Sequence, residues 1–139
     1  MELNKKLLLA IYENDFEGVK ECVEQGADVN TFEIDGKQYN PLYCCIKTQN
    51  VEIFDYLVEQ GADVTEKLGS KKQSLLFCAC NDPKLKLKIV LTIVNNGGHV
   101  DINYAPEGGK SPMEVVKENT PELTQYFERA LKHSQNKGR

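Results

Sequence analysis

Histidine is scarce in this chain of 139 residues: there are two, His99 and His133. So few leave almost nothing from which to build a nucleophile–base pair. Long apolar runs are missing as well. The longest, Ile89 to Val94, is interrupted by Thr92, far short of the ~18 residues that a membrane span needs. No glycine-rich phosphate loop is present, because Gly97-Gly98 and Gly108-Gly109 lack the strand–loop–helix setting that such a loop requires. Cysteine lacks an even count. The five are Cys22, Cys44, Cys45, Cys78 and Cys80, which argues against a complete disulfide framework and for a reducing compartment. The amino-terminal basic pair and short apolar patch lack the longer apolar region and small-residue cleavage site of a signal peptide. Helical periodicity runs on past them, so the expected location is cytoplasmic or nuclear.

What is present is ordinary for a globular domain. Hydrophobic residues make up 40% and charged residues 27%, enough to bury a core without staples. The net charge of −4 is unevenly spread. Residues 1–66 carry 5 lysines and 14 carboxylates, a net of −9; residues 67–139 carry 12 basic and 7 acidic groups, a net of +5. An acidic half and a basic half suit oriented encounter with a partner. The basic half is too weakly charged, and too poor in clustered arginine, to suggest nucleic acid.

The dominant signal is internal repetition. Val23-Glu-Gln-Gly-Ala-Asp-Val29 returns unchanged as Val58-Glu-Gln-Gly-Ala-Asp-Val64, 35 residues later. An altered copy runs from Val94 to Asn103. Upstream of each copy lies a second block: Lys5 to Ile11, Asn40 to Ile46 and Ser74 to Cys80, with a fourth at Ser111 to Lys117. Asn or Ser before Pro is a helix start. About ten residues later a second stripe begins, in one copy Val51, Ile53, Phe54, Leu57 and Val58, at helical spacing. Gly61 then ends that helix. Each unit reads as helix, short turn, helix, glycine stop and extended connector.

This pattern resembles the ankyrin repeat, a ~33-residue unit with a Thr-Pro-Leu-His-type signature. The signature site reads Asn40-Pro41-Leu42-Tyr43, Ser74-Leu75-Leu76-Phe77 and Ser111-Pro112-Met113-Glu114. The signature histidine is replaced in each. The resemblance implies an all-α repeat solenoid of four stacked helix–turn–helix units with hairpin-like connectors. The expected bounds are 1–34, 35–68, 69–106 and 107–133, with a polar tail at 134–139. Extra residues around Asn81 to Lys88 and at Gly97 to His99 should distort the third inter-helix turn and the hairpin that follows. The expected core is Leu9, Val19, Val23, Leu42, Ile46, Ile53, Leu57, Leu76, Val90, Ile93, Met113, Val116, Phe127 and Leu131.

The family binds protein partners on its concave side, through hairpin tips and inner-helix ends. Carried over residue by residue, the tips are Thr31 to Gly36, Thr65 to Leu68 and Tyr104 to Glu107. The helix ends are Tyr12-Glu13, Lys47-Thr48 and Asn81-Asp82. The expected partner-binding residues are therefore Tyr12, Phe32, Ile34, Tyr39, Lys47, Leu68, Asn81 and Tyr104. Phe32, Ile34 and Tyr39 stand out, since aromatic anchors carry much interface energy. Two readings stand for them: display to a partner, or Ile34 or Tyr39 folding back over the first stack. Tyr43 and Phe77 read as partly buried packing.

The helix cysteines number four, as in a structural zinc site. Neighbours on a helix point ~100° apart and residues two apart ~200°, so neither Cys44-Cys45 nor Cys78-x-Cys80 can chelate one ion, and they read as small core residues. No catalytic residue, metal or cofactor is expected. The resulting expectation is a monomeric, stand-alone adaptor or inhibitor that binds a protein partner, not nucleic acid or a membrane. The alternative is a structural or assembly protein acting through its basic half, by way of Lys84, Lys86 and Lys88 and the terminal helix.

Overall fold

Short polar residues open most of the helices by bonding the amides that a helix start leaves unpaired. Asp15 accepts from the Gly18 amide, Asn40 from Tyr43, Asn50 from Ile53 and Ser74 from Phe77. Ser111 and Glu114 form a reciprocal capping box. The computed structural model describes the backbone of residues 2–137 and the side chains of residues 2–133. Within it the chain forms two compact units, 1–63 and 64–139.

The first unit runs α1 (Leu3–Tyr12), α2 (Phe16–Glu24), β1 (Phe32–Ile34), β2 (Lys37–Tyr39), α3 (Pro41–Thr48) and α4 (Val51–Glu59). Both helix pairs turn in the same way. Asn14 and Gln49 take left-handed angles, φ 57° and 60°. The capping residue, Asp15 or Asn50, follows each. These positions are 35 residues apart, so the repeat in sequence is a repeat in backbone geometry. Gly26 and Gly61, at φ 102° and 99°, end α2 and α4, where a β-carbon would be strained. The amide of the next alanine then reaches back, Ala27 to Cys22 and Ala62 to Leu57.

Leu7, Ile11, Val19, Leu42, Ile53, Phe54 and Leu57 fill the core of this unit. Leu9, expected there, is 46% exposed. Leu7, Leu8 and Ile11 already occupy the buried arc of α1, and Leu9 falls ~100° beyond Leu8 on a 3.6-residue helix. Val23 is half-buried. Strands β1 and β2 pair antiparallel, Phe32 opposite Tyr39 and Ile34 opposite Lys37. Asp35 and Gly36 make the two-residue turn with φ 52° and 81°, the twist that matches a hairpin.

The second unit runs β3 (Lys67–Leu68), β4 (Gln73–Ser74), α5 (Leu75–Cys80), α6 (Leu87–Asn95), a 3-10 turn (Gly98–Asp101), α7 (Pro112–Asn119), a second 3-10 turn (Pro121–Leu123) and α8 (Thr124–Lys137). Its core holds Leu75, Leu76, Val90, Ile93, Ile102, Val116 and Phe127; Leu131 is half-buried. The expected distortions are here. Helix α5 has 6 residues, and Lys86 opens α6 without a side-chain cap. A 3-10 turn stands where a hairpin was expected. The β3–β4 turn lies at 69–72, so Leu68 is in a strand and not at a tip. The architecture is helical with two small two-stranded sheets, which makes the connectors true hairpins at β1–β2 and β3–β4. Helix α8 passes residue 133; Gly138 and Arg139 of the expected polar tail lie outside the described residues.

Candidate functional site

Helix α1 sorts its residues by angle. Lys5, Leu9 and Tyr12 are spaced i, i+4, i+7, one stripe of a helix. Lys5 reaches the hairpin turn, with Nζ 3.8 Å from a carboxylate oxygen of Asp35. Tyr12 reaches α3, where its hydroxyl donates to Cys44 Sγ at 3.4 Å. Between them Leu9 is 46% and Tyr12 51% exposed. An apolar strip of α1 is thus bounded by the hairpin and by α3.

Tyr39 and Tyr43 belong to the same neighbourhood. The Tyr12 phenol is pushed up to about 12, first by its hydrogen bond to Cys44, then by burial, with smaller contributions from the nearby Cys44, Tyr39 and Tyr43. Lysines rim the cluster. Lys37 lies 5.9 Å from the Tyr39 ring and Lys47 5.3 Å from the Tyr43 ring, each within cation–π reach. Phenol, aliphatic and ammonium groups together suit contact with a protein surface, where tyrosine combines apolar area with a polar tip.

The expected residues fall as follows. Tyr12 is displayed, Lys47 is exposed, and Ile34 and Tyr39 are half-buried in one hairpin. Phe32 is buried at 8% exposure, because the pleat turns it toward the core while Glu33 points out. It supports the hairpin from beneath. Within the second unit, Leu68 is half-buried in β3 and Asn81 is exposed at the end of α5. Tyr104 is braced: its hydroxyl donates to the Lys72 carbonyl at 2.6 Å, and Lys67 Nζ sits 4.6 Å from its ring. The same Nζ bonds Asp101 Oδ1 at 2.7 Å. Asp101 is buried, and its Oδ2 has no partner among the described residues.

Leu9 was missed as a surface residue because it lies inside the run Leu7-Leu8-Leu9; the i, i+4, i+7 spacing with Lys5 and Tyr12 was the available signal. Tyr43 and Phe77 are half-buried, as expected. The thiols are free; Cys22, Cys44, Cys45 and Cys80 are buried and Cys78 is half-buried. Burial pushes Cys78 up to about 11 and Cys80 up to about 12, and raises Cys45 further still. Both histidines lie in the second unit, apart in sequence from the tyrosine cluster.

Residues 7–58, most of the first unit, match the family model for ankyrin repeats (many copies). That stretch of the chain is similar to ankyrin repeats. An ankyrin repeat protein of Borreliella burgdorferi is 27% identical over 96 residues, covering 69% of this chain and 42% of that protein. The ankyrin repeat protein YahD of Escherichia coli is 28% identical over 123 residues, covering 80% and 56%. One from Acanthamoeba polyphaga mimivirus is 26% identical over 105 residues, covering 76% and 29%. The chain therefore spans less than two thirds of each of these relatives. Ankyrin repeats are generally protein–protein interaction modules and not enzymes. No helix among the described residues is long and apolar enough to cross a membrane.

Proposed function

We propose that this ankyrin chain acts as an adaptor or inhibitor and holds a protein partner on the face of its first unit made by α1, α3 and the β1–β2 hairpin. Tyr12, Ile34, Tyr39 and Lys47 contact the partner, Leu9 adds to them, and Phe32 acts from below. The observation that carries this reading is the exposure of Leu9 and Tyr12, one turn apart on α1. A small domain gains nothing in stability from two large displayed hydrophobic groups, whereas an interface does. The surroundings favour a preformed site, since the Tyr12 hydroxyl is already tethered and the hairpin already paired. Leu68, Asn81 and Tyr104 form a separate set in the second unit, with Tyr104 positioning its neighbours.

The test is capture from source-cell lysate with wild type and a Leu9→Glu, Tyr12→Ser variant. The expected result is a protein retained by wild type and lost by the variant, with the variant's thermal unfolding close to wild type. Equal retention by both would remove the first-unit face from consideration.

A further inference from the structure

A second surface, in the other unit and independent of the tyrosine cluster, has the form of a binding site. The β3–β4 turn and the loop from Tyr104 to Lys110 enclose an open cleft of about 970 Å³, near the upper end of the ~300–1,000 Å³ usual for ligand sites. The two walls are tied together. The Tyr104 hydroxyl donates to the Lys72 carbonyl, while the Lys72 amide closes the turn on the Gly69 carbonyl with Lys72 at φ 56°, an uncommon conformation for a residue with a side chain. Lys67 steadies the ring of Tyr104. The two walls are therefore linked before any ligand arrives.

The lining is basic and partly apolar. Lys71 and Lys72 are exposed, and neither makes an ion pair among the described residues. Lys110 is shared with Glu118, at 2.9 and 3.0 Å from its two oxygens. Glu107 supplies the one carboxylate, and Phe77, Tyr104 and Pro106 supply apolar surface. Exposed lysines on a turn hold a free small anion poorly, because water and salt screen them. They gain when a ligand also covers apolar area and lowers the local dielectric. An extended chain does both, with acidic side chains on the lysines and an apolar one against Phe77 and Pro106.

We propose that this cleft docks a short acidic peptide segment of a partner protein, with an apolar residue between its carboxylates. The probe is a fluorescein-labelled octapeptide alternating glutamate and leucine, read by fluorescence polarisation against the whole chain. Wild type should bind it, more weakly at high salt, and Lys71→Glu with Lys72→Glu should weaken binding at least about tenfold. Lys117→Glu, on α7 outside the cleft, should leave it unchanged. So should the Leu9→Glu, Tyr12→Ser variant, which separates this site from the first-unit reading. Absence of binding, or equal loss in the Lys117→Glu control, would overturn the proposal. Tighter binding of phosphatidylserine vesicles or of a single-stranded oligonucleotide through the same lysines would overturn it in favour of that class.

Discussion

At the scale of single residues, polar atoms on apolar side chains decide much of the behaviour. The Tyr12 ring is half in solvent, yet its hydroxyl is held by Cys44. Replacing it by Phe keeps the ring and removes one weak bond, so a Tyr12→Phe variant should lose less than about 1 kcal/mol in urea denaturation. Phe32→Ala should cost about 3 kcal/mol, because a buried ring leaves a cavity, while Leu9→Ala should stay within about 0.5 kcal/mol. That contrast tests which of the two side chains the fold uses. The thiols make a pH prediction. An unfolded cysteine ionises near 9.0, whereas burial holds Cys78 at about 11 and Cys80 at about 12. Above pH 9 the unfolded chain binds fewer protons than the folded one, so this contribution is full below pH 9 and is lost as pH rises toward 12. Urea midpoints should fall between about pH 8 and about pH 10.5, and a Cys80→Ala variant should fall less steeply.

At the scale of elements, the starts and stops were legible. Asn40-Pro41 and Ser111-Pro112 announce α3 and α7, and both serve as read. Asn40→Ala should therefore cost about 1 kcal/mol by leaving the Tyr43 amide without its cap, checked by thermal unfolding. Gly61 stops α4 at φ 99°, so Gly61→Ala should cost roughly 1 kcal/mol. The tips were less legible. The segment Thr65 to Leu68 read as a tip, but Lys67 and Leu68 pair with Ser74 and Gln73 and the turn falls four residues later. Pairing register depends on which partner strand is available, and a short connector carries little alternation to show it. Burial on the hairpin was equally hidden. Phe32, Ile34 and Tyr39 share one face of the hairpin, yet packing beneath it buries Phe32 and leaves the other two half-buried.

For the whole molecule, the repetition in sequence appears as repeated helix pairs, with Asn50 Nδ2 donating to its counterpart Asn14 Oδ1 at 3.1 Å. The contrast between an acidic amino-terminal half and a basic carboxy-terminal half gives a molecular test of the competing assembly reading. Light scattering should return one mass near 15.7 kDa at every concentration. A mass that climbs with concentration would favour head-to-tail association of basic on acidic faces.

The sequence by itself determined the repeating unit, the helix pairs, their caps and their glycine stops. These follow from interactions within a few residues of one another, and a recurring string repeats them whatever surrounds it. The tertiary structure alone decided which side chain of Leu7-Leu8-Leu9 faces water, which hairpin residue is buried, and that Lys72 and Tyr104, 32 positions apart, close a cleft. Those outcomes depend on what packs against each element, and no local pattern encodes a neighbour that the chain meets only on folding.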